Sequence, residues 1–178
     1  MVKYATQYLA IRNIPNSYIQ WNKIDCYMSE MSKTEIRRLL NKDTFTGKLA
    51  TVKKDGSSHV VPIWFVLDYR NNEVNLGNIY FTTFSGSVKA ENIQRDNRIS
   101  ICIDDQTPPF SFVTIHGTAK LYPYKQKEVL KWATRIAKRY MGKKDSKAYG
   151  ERNSGEDAIL VRIKPTKIIA EKDIATWD

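Results

Sequence analysis

Apolar and polar positions change rhythm several times along the chain, and each change predicts an element. Ser32 and Glu35 in SKTE form a capping-box pair: the hydroxyl can accept from an early helical N–H while the carboxylate reaches back. Ile36, Leu39 and Leu40 then place one apolar face on a short helix ending near Asn41. From Gly47 the period falls to two. KLATVK (Lys48–Lys53) reads as a strand, Asp55-Gly56 as a hairpin turn, and SHVVPIWFVLD (Ser58–Asp68) as the richest strand in the chain. Pro62 cannot donate to a ladder and marks an edge, a bulge or a place where the strand leaves its neighbour. Asn71-Asn72 is a second turn, IYFTTF (Ile79–Phe84) a third strand, and SVKAENIQR (Ser87–Arg95) a short helix. RISICID (Arg98–Asp104) alternates again, Pro108-Pro109 breaks the chain, and Phe112–Tyr122 forms a long strand interrupted by Gly117. Val129, Ala133, Ile136, Ala137 and Tyr140 fall at helical spacing, so an amphipathic helix is expected over 125–141, stopped by Gly142. The polar stretch 142–156 reads as a mobile surface loop. Ala158–Lys164 and Lys167–Ala170 close the chain as two strands separated by Pro165.

Many strands at hairpin spacing, with helices at three connections, argue for an antiparallel sheet closed into a barrel. The expected class is mainly β (α+β), with a few peripheral helices. Residues 1–30 show no clean period and are expected to be an N-terminal arm, leaving 31–178 as one domain. The length of 178 residues suits that division.

Composition narrows the surroundings. The longest apolar run, Val60–Leu67, falls well short of the roughly 20 residues a membrane-spanning helix needs, and the first thirty residues lack the pattern of a secretory signal. No membrane partner and a cytoplasmic location are therefore expected. Two cysteines, Cys26 and Cys102, are too few for a disulfide framework or a cysteine-rich zinc site. The net charge of +10 favours anionic partners without choosing among them. Residues 125–152 carry ten basic against three acidic side chains, a run that usually forms a solvated helix face.

Candidate chemistry is sparse. His59 and His116 lie on separate strands, and neither has a second ligand at metal-binding spacing, so no metal site is expected. Cys102 sits inside an alternating strand, where burial explains it, and Cys26 has no helix N-terminus behind it. Asp104 and Asp105 are adjacent on a strand end and point apart. One constellation stands out: Thr82-Thr83-Phe84-Ser85-Gly86-Ser87-Val88-Lys89. A strand ending in hydroxyls, a glycine-containing turn and a helix start with a lysine in its first turn together gather the donors that a phosphate group needs. An ordinary serine N-cap beside a solvated lysine would look the same in sequence.

The runs YFTTFSGSVKAENIQRDNRISI (Tyr80–Ile101) and GKLATVKKDGSSHVVPIWFVLD (Gly47–Asp68) resemble the pyridoxamine 5′-phosphate oxidase-like split β-barrels, and most of all their branch of FMN- or deazaflavin-dependent reductases. The resemblance implies a homodimer with cofactor sites at the subunit interface and a small-molecule substrate. It implies phosphate contacts from Thr83, Ser87 and Lys89, and a ring system running along His59, Val60, Val61, Pro62 and Ile63 and along Tyr80, Phe81 and Thr82. The chain departs from the vitamin-forming oxidases, whose phosphate-binding arginine and lysine correspond to Val61 and Val66, and whose arginine beside the turn lysine corresponds to Val88.

A ring cofactor that carries the hydride itself also explains why no acid–base set is found, and no catalytic residue is assigned. FMN is the expected cofactor. The alternative is the deazaflavin coenzyme F-420, whose acidic tail would suit a basic groove from Lys53, Lys54, Arg95 and Arg98. Two other readings compete: a non-enzymatic flavin or haem binder, and, with less support, a nucleic-acid binder using the basic helix with Trp132 and Tyr140.

Overall fold

The computed structural model describes residues 29–69, 77–122 and 125–176. In chain order these form β1 (Ser29–Glu30), α1 (Lys33–Asn41), β2 (Gly47–Val52), β3 (Ser58–Ile63), β4 (Val66–Asp68), β5 (Asn78–Phe84), α2 (Val88–Arg95), β6 (Arg98–Asp105), β7 (Ser111–Tyr122), α3 (Gln126–Arg152) and β8 (Ala158–Lys172). The expected arm lies outside the described residues except for Ser29 and Glu30, as do Cys26 and the Asn71-Asn72 turn.

All pairings are antiparallel, in the order β3-β2-β6-β7-β8-β5-β4, with β1 added to β8. The two ends of that path, β3 and β4, are one stretch of chain bent at Trp64 and Phe65. The sheet therefore closes on itself. The single strand expected over Ser58–Asp68 is two because α3 takes the backbone groups at the bend. Phe65 N–H donates to Tyr140 Oη at 3.2 Å, and Phe65 C=O accepts from Arg139 at 3.2 Å. A ladder partner for Phe65 is replaced by side chains, and the chain turns from β2 to β5.

β8 is one strand where two were expected. It crosses Pro165 because β8 itself bulges there: Gly117 of β7 stands opposite Pro165 and His116 opposite Lys167, leaving Thr166 as the extra residue. A side chain at Gly117 would put its Cβ 2.5 Å from the Lys164 carbonyl oxygen, which explains the glycine.

Inward positions of the strands fill the barrel, with Leu49, Phe65, Phe81, Ile101, Ile115 and Val161 wholly buried. A second apolar layer lies outside, where α3 covers β5 and β8. Tyr80 stacks on Trp132 at 3.9 Å, and Trp64 on Tyr140 at 4.9 Å. Both aromatics of the basic helix thus face the barrel, where packing accounts for them.

The polar segment 142–156 is not a loop. Gly142 breaks the helix with φ 80°, ψ 171°, but helix resumes and runs to Arg152. Its lysines are good helix formers, and Gly150 packs against Thr134 so closely that a Cβ there would lie 2.8 Å from Thr134 Cα. Polarity on the solvent side hid a segment that folds back on the first half of α3. No helix among the described residues is long and apolar enough to cross a membrane.

The capping box of α1 is present, with Ser32 N–H on Glu35 Oε2 at 2.8 Å and Glu35 N–H on Ser32 Oγ at 3.3 Å. Glu35 also accepts from Lys172 Nζ at 2.5 Å, which ties α1 to β8. The lysine and the serine together hold the Glu35 carboxyl down to about 2, and Arg98 does the same for Asp96, also to about 2. A carboxyl depressed on folding contributes stability that is complete above its unfolded value and is lost as pH falls towards the folded one. The melting temperature is therefore expected to drop between pH 4.5 and about 2, and Glu35→Gln to flatten that drop. Thermal melts across this range check it, and an unchanged slope in the variant would remove the assignment.

Candidate functional site

The hydroxyl-rich turn forms because β5 alternates. Ile79, Phe81 and Thr83 point inward; Tyr80, Thr82 and Phe84 point outward. At the strand's end Thr83 is still buried, and its Oγ1 meets Ser87 Oγ at 3.0 Å. Ser87 is the N-cap of α2. Its carbonyl accepts from Ala90 N–H at 2.8 Å and Glu91 N–H at 3.0 Å, and its Oγ accepts from Ala90 at 3.4 Å. The Val88 and Lys89 N–H groups of the first turn are left with no acceptor among the described residues. Beside them Phe84, Ser85, Gly86, Ser87 and Asp157 line an open depression of about 490 Å³.

Lys89 stands in that first turn and does not line the depression itself. It is partly buried, and burial alone draws its ammonium below the usual lysine range. Among the described residues no carboxylate pairs with it. A cation partly removed from water without a counter-ion, next to unpaired N–H groups and two hydroxyls, is a place that favours an anion.

The other half of the sequence-predicted site lies on β3. His59, Val61 and Ile63 share the inward face, while Val60 and Pro62 are exposed outward. β3 bonds to β2, and among the described residues its other edge is unpaired. The β4–β5 ladder ends at Val66 opposite Tyr80. Its register, continued, would set Pro62 opposite Phe84, but no pairing is made there. The barrel is thus split between β3 and the Phe81–Phe84 half of β5, and both predicted strands border the split. Three exposed apolar side chains lie on or next to these strands: Val60 on β3, Phe84 on β5 and Val88 at the start of α2.

Three predicted side chains are otherwise engaged, Ile63 among them, buried in the barrel core. Tyr80 is under Trp132, and Phe81 is wholly buried in the barrel. Thr82 is half-buried on the outward face. Only the unpaired backbone edge from Phe81 onward faces the split.

Sequence reasoning missed Thr51 and Asn92, and read Arg95 only as part of a basic groove. Asn92, buried on α2, donates from Nδ2 to Thr51 Oγ1 at 3.0 Å. Arg95 donates to Asn92 Oδ1 at 3.1 Å and to the Val52 carbonyl. The readable signal was Thr51 on the Leu49 face of β2, a polar residue at a core position. Arg95, so engaged, and Arg98, forked onto Asp96, contribute less to a basic groove than their charges suggested. No three metal-ligating side chains come together among the described residues.

The sequence model of the pyridoxamine 5′-phosphate oxidase family matches residues 32–170. Similar solved structures include the conserved hypothetical protein Rv2991 from Mycobacterium tuberculosis, 26% identical, with a TM-score of 0.66 over 83% of this chain and 85% of that one. An F420 reductase is 21% identical, with a TM-score of 0.57 over 74% and 94% of the two chains. The haem storage protein HutZ from Vibrio cholerae is 16% identical, with a TM-score of 0.61 over 78% and 94%. The last two likenesses speak to the fold alone. No curated protein matches the sequence.

Proposed function

The chain belongs to the pyridoxamine 5′-phosphate oxidase family, and from that premise we propose that it is an oxidoreductase holding a phosphorylated flavin-type cofactor. FMN is the first choice and the deazaflavin coenzyme F-420 the alternative. The observation that carries this reading is the partly buried Lys89, which has no counter-ion among the described residues, beside N–H groups at the start of α2 that have no acceptor among them. The donor set fits a phosphate: the Thr83 and Ser87 hydroxyls, the Val88 and Lys89 N–H groups and the Lys89 ammonium would hold it. The ring would lie in the split, against the β3 segment His59–Ile63 and the free edge of β5. When bound, the cofactor supplies hydride transfer to a small-molecule substrate; the chain's task is to bind, orient and exclude water. Val60, Phe84 and Val88 are exposed at these elements, and a second copy of the chain would cover them, giving a homodimer with the site at its interface.

The vitamin-forming activity of the family's namesake is not part of the proposal. Val61 packs against the barrel core, Val66 is buried beneath α3, and Val88 is exposed, and none of the three supplies the cation that the namesake enzymes place there.

The haem reading is favoured by the likeness to HutZ. A phosphate cradle answers no need of haem, which carries carboxylates and no phosphate. The test is a visible absorption spectrum of the purified protein with mass spectrometry of what denaturation releases. An FMN mass is expected. A ladder of glutamate-bearing masses would move the cofactor to the deazaflavin. Haem, or a colourless protein that takes up neither flavin nor deazaflavin, would overturn the proposal. Reduction of the bound ring by a nicotinamide, and reoxidation by a substrate, separates an enzyme from a carrier.

A further inference from the structure

The proposed phosphate position and the proposed ring position belong to different elements, α2 and β3, with no ladder between them. One chain of hydrogen bonds joins them. Arg95 grips the Val52 carbonyl and Asn92 Oδ1, which fixes the way the Asn92 carboxamide faces. Its Nδ2 must then point at Thr51, and does, at 3.0 Å. Thr51 stands opposite His59 in the β2–β3 register. Because Thr51 Oγ1 accepts from Asn92, its own proton is turned towards His59, whose Nδ1 and carbonyl oxygen each lie 3.5 Å away. Both Thr51 and Asn92 are nearly inaccessible to water. A polar pair this deeply buried must stay satisfied, and its geometry is correspondingly fixed.

We infer that Thr51 and Asn92 are positioning residues that set the distance between the phosphate-holding start of α2 and the ring-holding strand β3. The inference rests on the phosphate reading given above and adds that the two halves of the site are read together. A ligand carrying both ring and phosphate gains from a spacing fixed in advance, because its second contact then costs no further ordering. A ligand carrying the ring alone gains nothing from it.

The test is fluorescence titration of the full chain with FMN and with riboflavin. Wild type is expected to prefer FMN. Thr51→Val keeps the side-chain shape, removes the hydroxyl and leaves Asn92 Nδ2 unpaired. It is expected to weaken FMN binding about tenfold, the scale of coupling within one hydrogen-bond network, with riboflavin affinity held within about twofold. Thr51→Ser, which restores the hydroxyl, is expected to recover the FMN preference. An equal loss for both ligands would reduce Thr51 to a structural role and overturn the inference. So would an unchanged FMN preference in Thr51→Val, or a Thr51→Ser that behaves like it. A wild type that does not distinguish FMN from riboflavin would instead sink the phosphate reading on which the inference stands.

Discussion

Lys89→Ala is expected to weaken FMN binding by about ten- to a hundredfold without lowering the melting temperature. A charge-assisted hydrogen bond is worth about 1.5–3 kcal/mol, and each 1.4 kcal/mol is tenfold in affinity. The absence of a stability cost follows from the surroundings. Lys89 has no carboxylate partner among the described residues, and burial alone draws its ammonium below the usual lysine range. A lysine depressed in this way favours its neutral form in the folded state, so at neutral pH its charge works slightly against folding. Removing it breaks no ion pair. Binding an anion would reverse the sign and draw the proton back on. FMN affinity is therefore also expected to fall as pH rises through the range where Lys89 loses its proton, a range that begins below that of an ordinary lysine. Lys89 keeps part of its surface in water, so added salt should weaken FMN binding measurably. Riboflavin is the control, since it lacks the phosphate and should bind Lys89→Ala and wild type alike. Equal FMN affinity in the two proteins would remove Lys89 from the site.

How far this arrangement could be read from the chain depended on which interactions were local. The α1 capping box needs only residues 32 and 35, and the hydroxyl turn only residues 82–89; both are as expected. The strands were readable because one buried face forces alternation. What failed depended on partners distant in sequence. The break between β3 and β4 is enforced by Arg139 and Tyr140, about 75 residues away in the chain and reaching Phe65 from α3. The second half of α3 looked like a loop because its own residues are polar, and its docking is set by the contact of Gly150 with Thr134. Pro165 looked like a terminator because the bulge that accommodates it forms only when β8 pairs with β7, nearly fifty residues earlier in the chain, where Gly117 leaves room for the Lys164 carbonyl. In the candidate site, Thr83, Ser87 and Lys89 could be picked out as a local motif. Thr51 and Asn92 were missed because their meaning lies in a contact 41 residues apart.

The second large effect falls on β5, the strand that borders the proposed site. Phe81→Ala is expected to destabilise the protein by about 3–5 kcal/mol, the range for truncating a buried aromatic, which lowers the melting temperature by roughly 6–20 °C in a domain of this size. Phe81 is wholly buried among the barrel side chains, so the loss is a cavity in the core. Two residues on, Thr83 shares the same inward face but ends against Ser87 Oγ. Thr83→Val keeps its volume and removes its hydroxyl, so its effect is expected in FMN affinity, about two- to tenfold from one neutral hydrogen bond, with little change in melting temperature. Thermal melts and FMN titrations on the two variants should therefore give opposite patterns. A Phe81→Ala protein that melts like wild type but releases FMN would place the ring against the side chain rather than against the unpaired backbone edge. The division of β5 into a core half and a binding end would then fail. If the patterns separate as expected, the tyrosine and phenylalanine of the YFTT run act as the rigid footing that holds the threonine hydroxyls in place, and the residues that touch the cofactor begin where the β4 ladder stops.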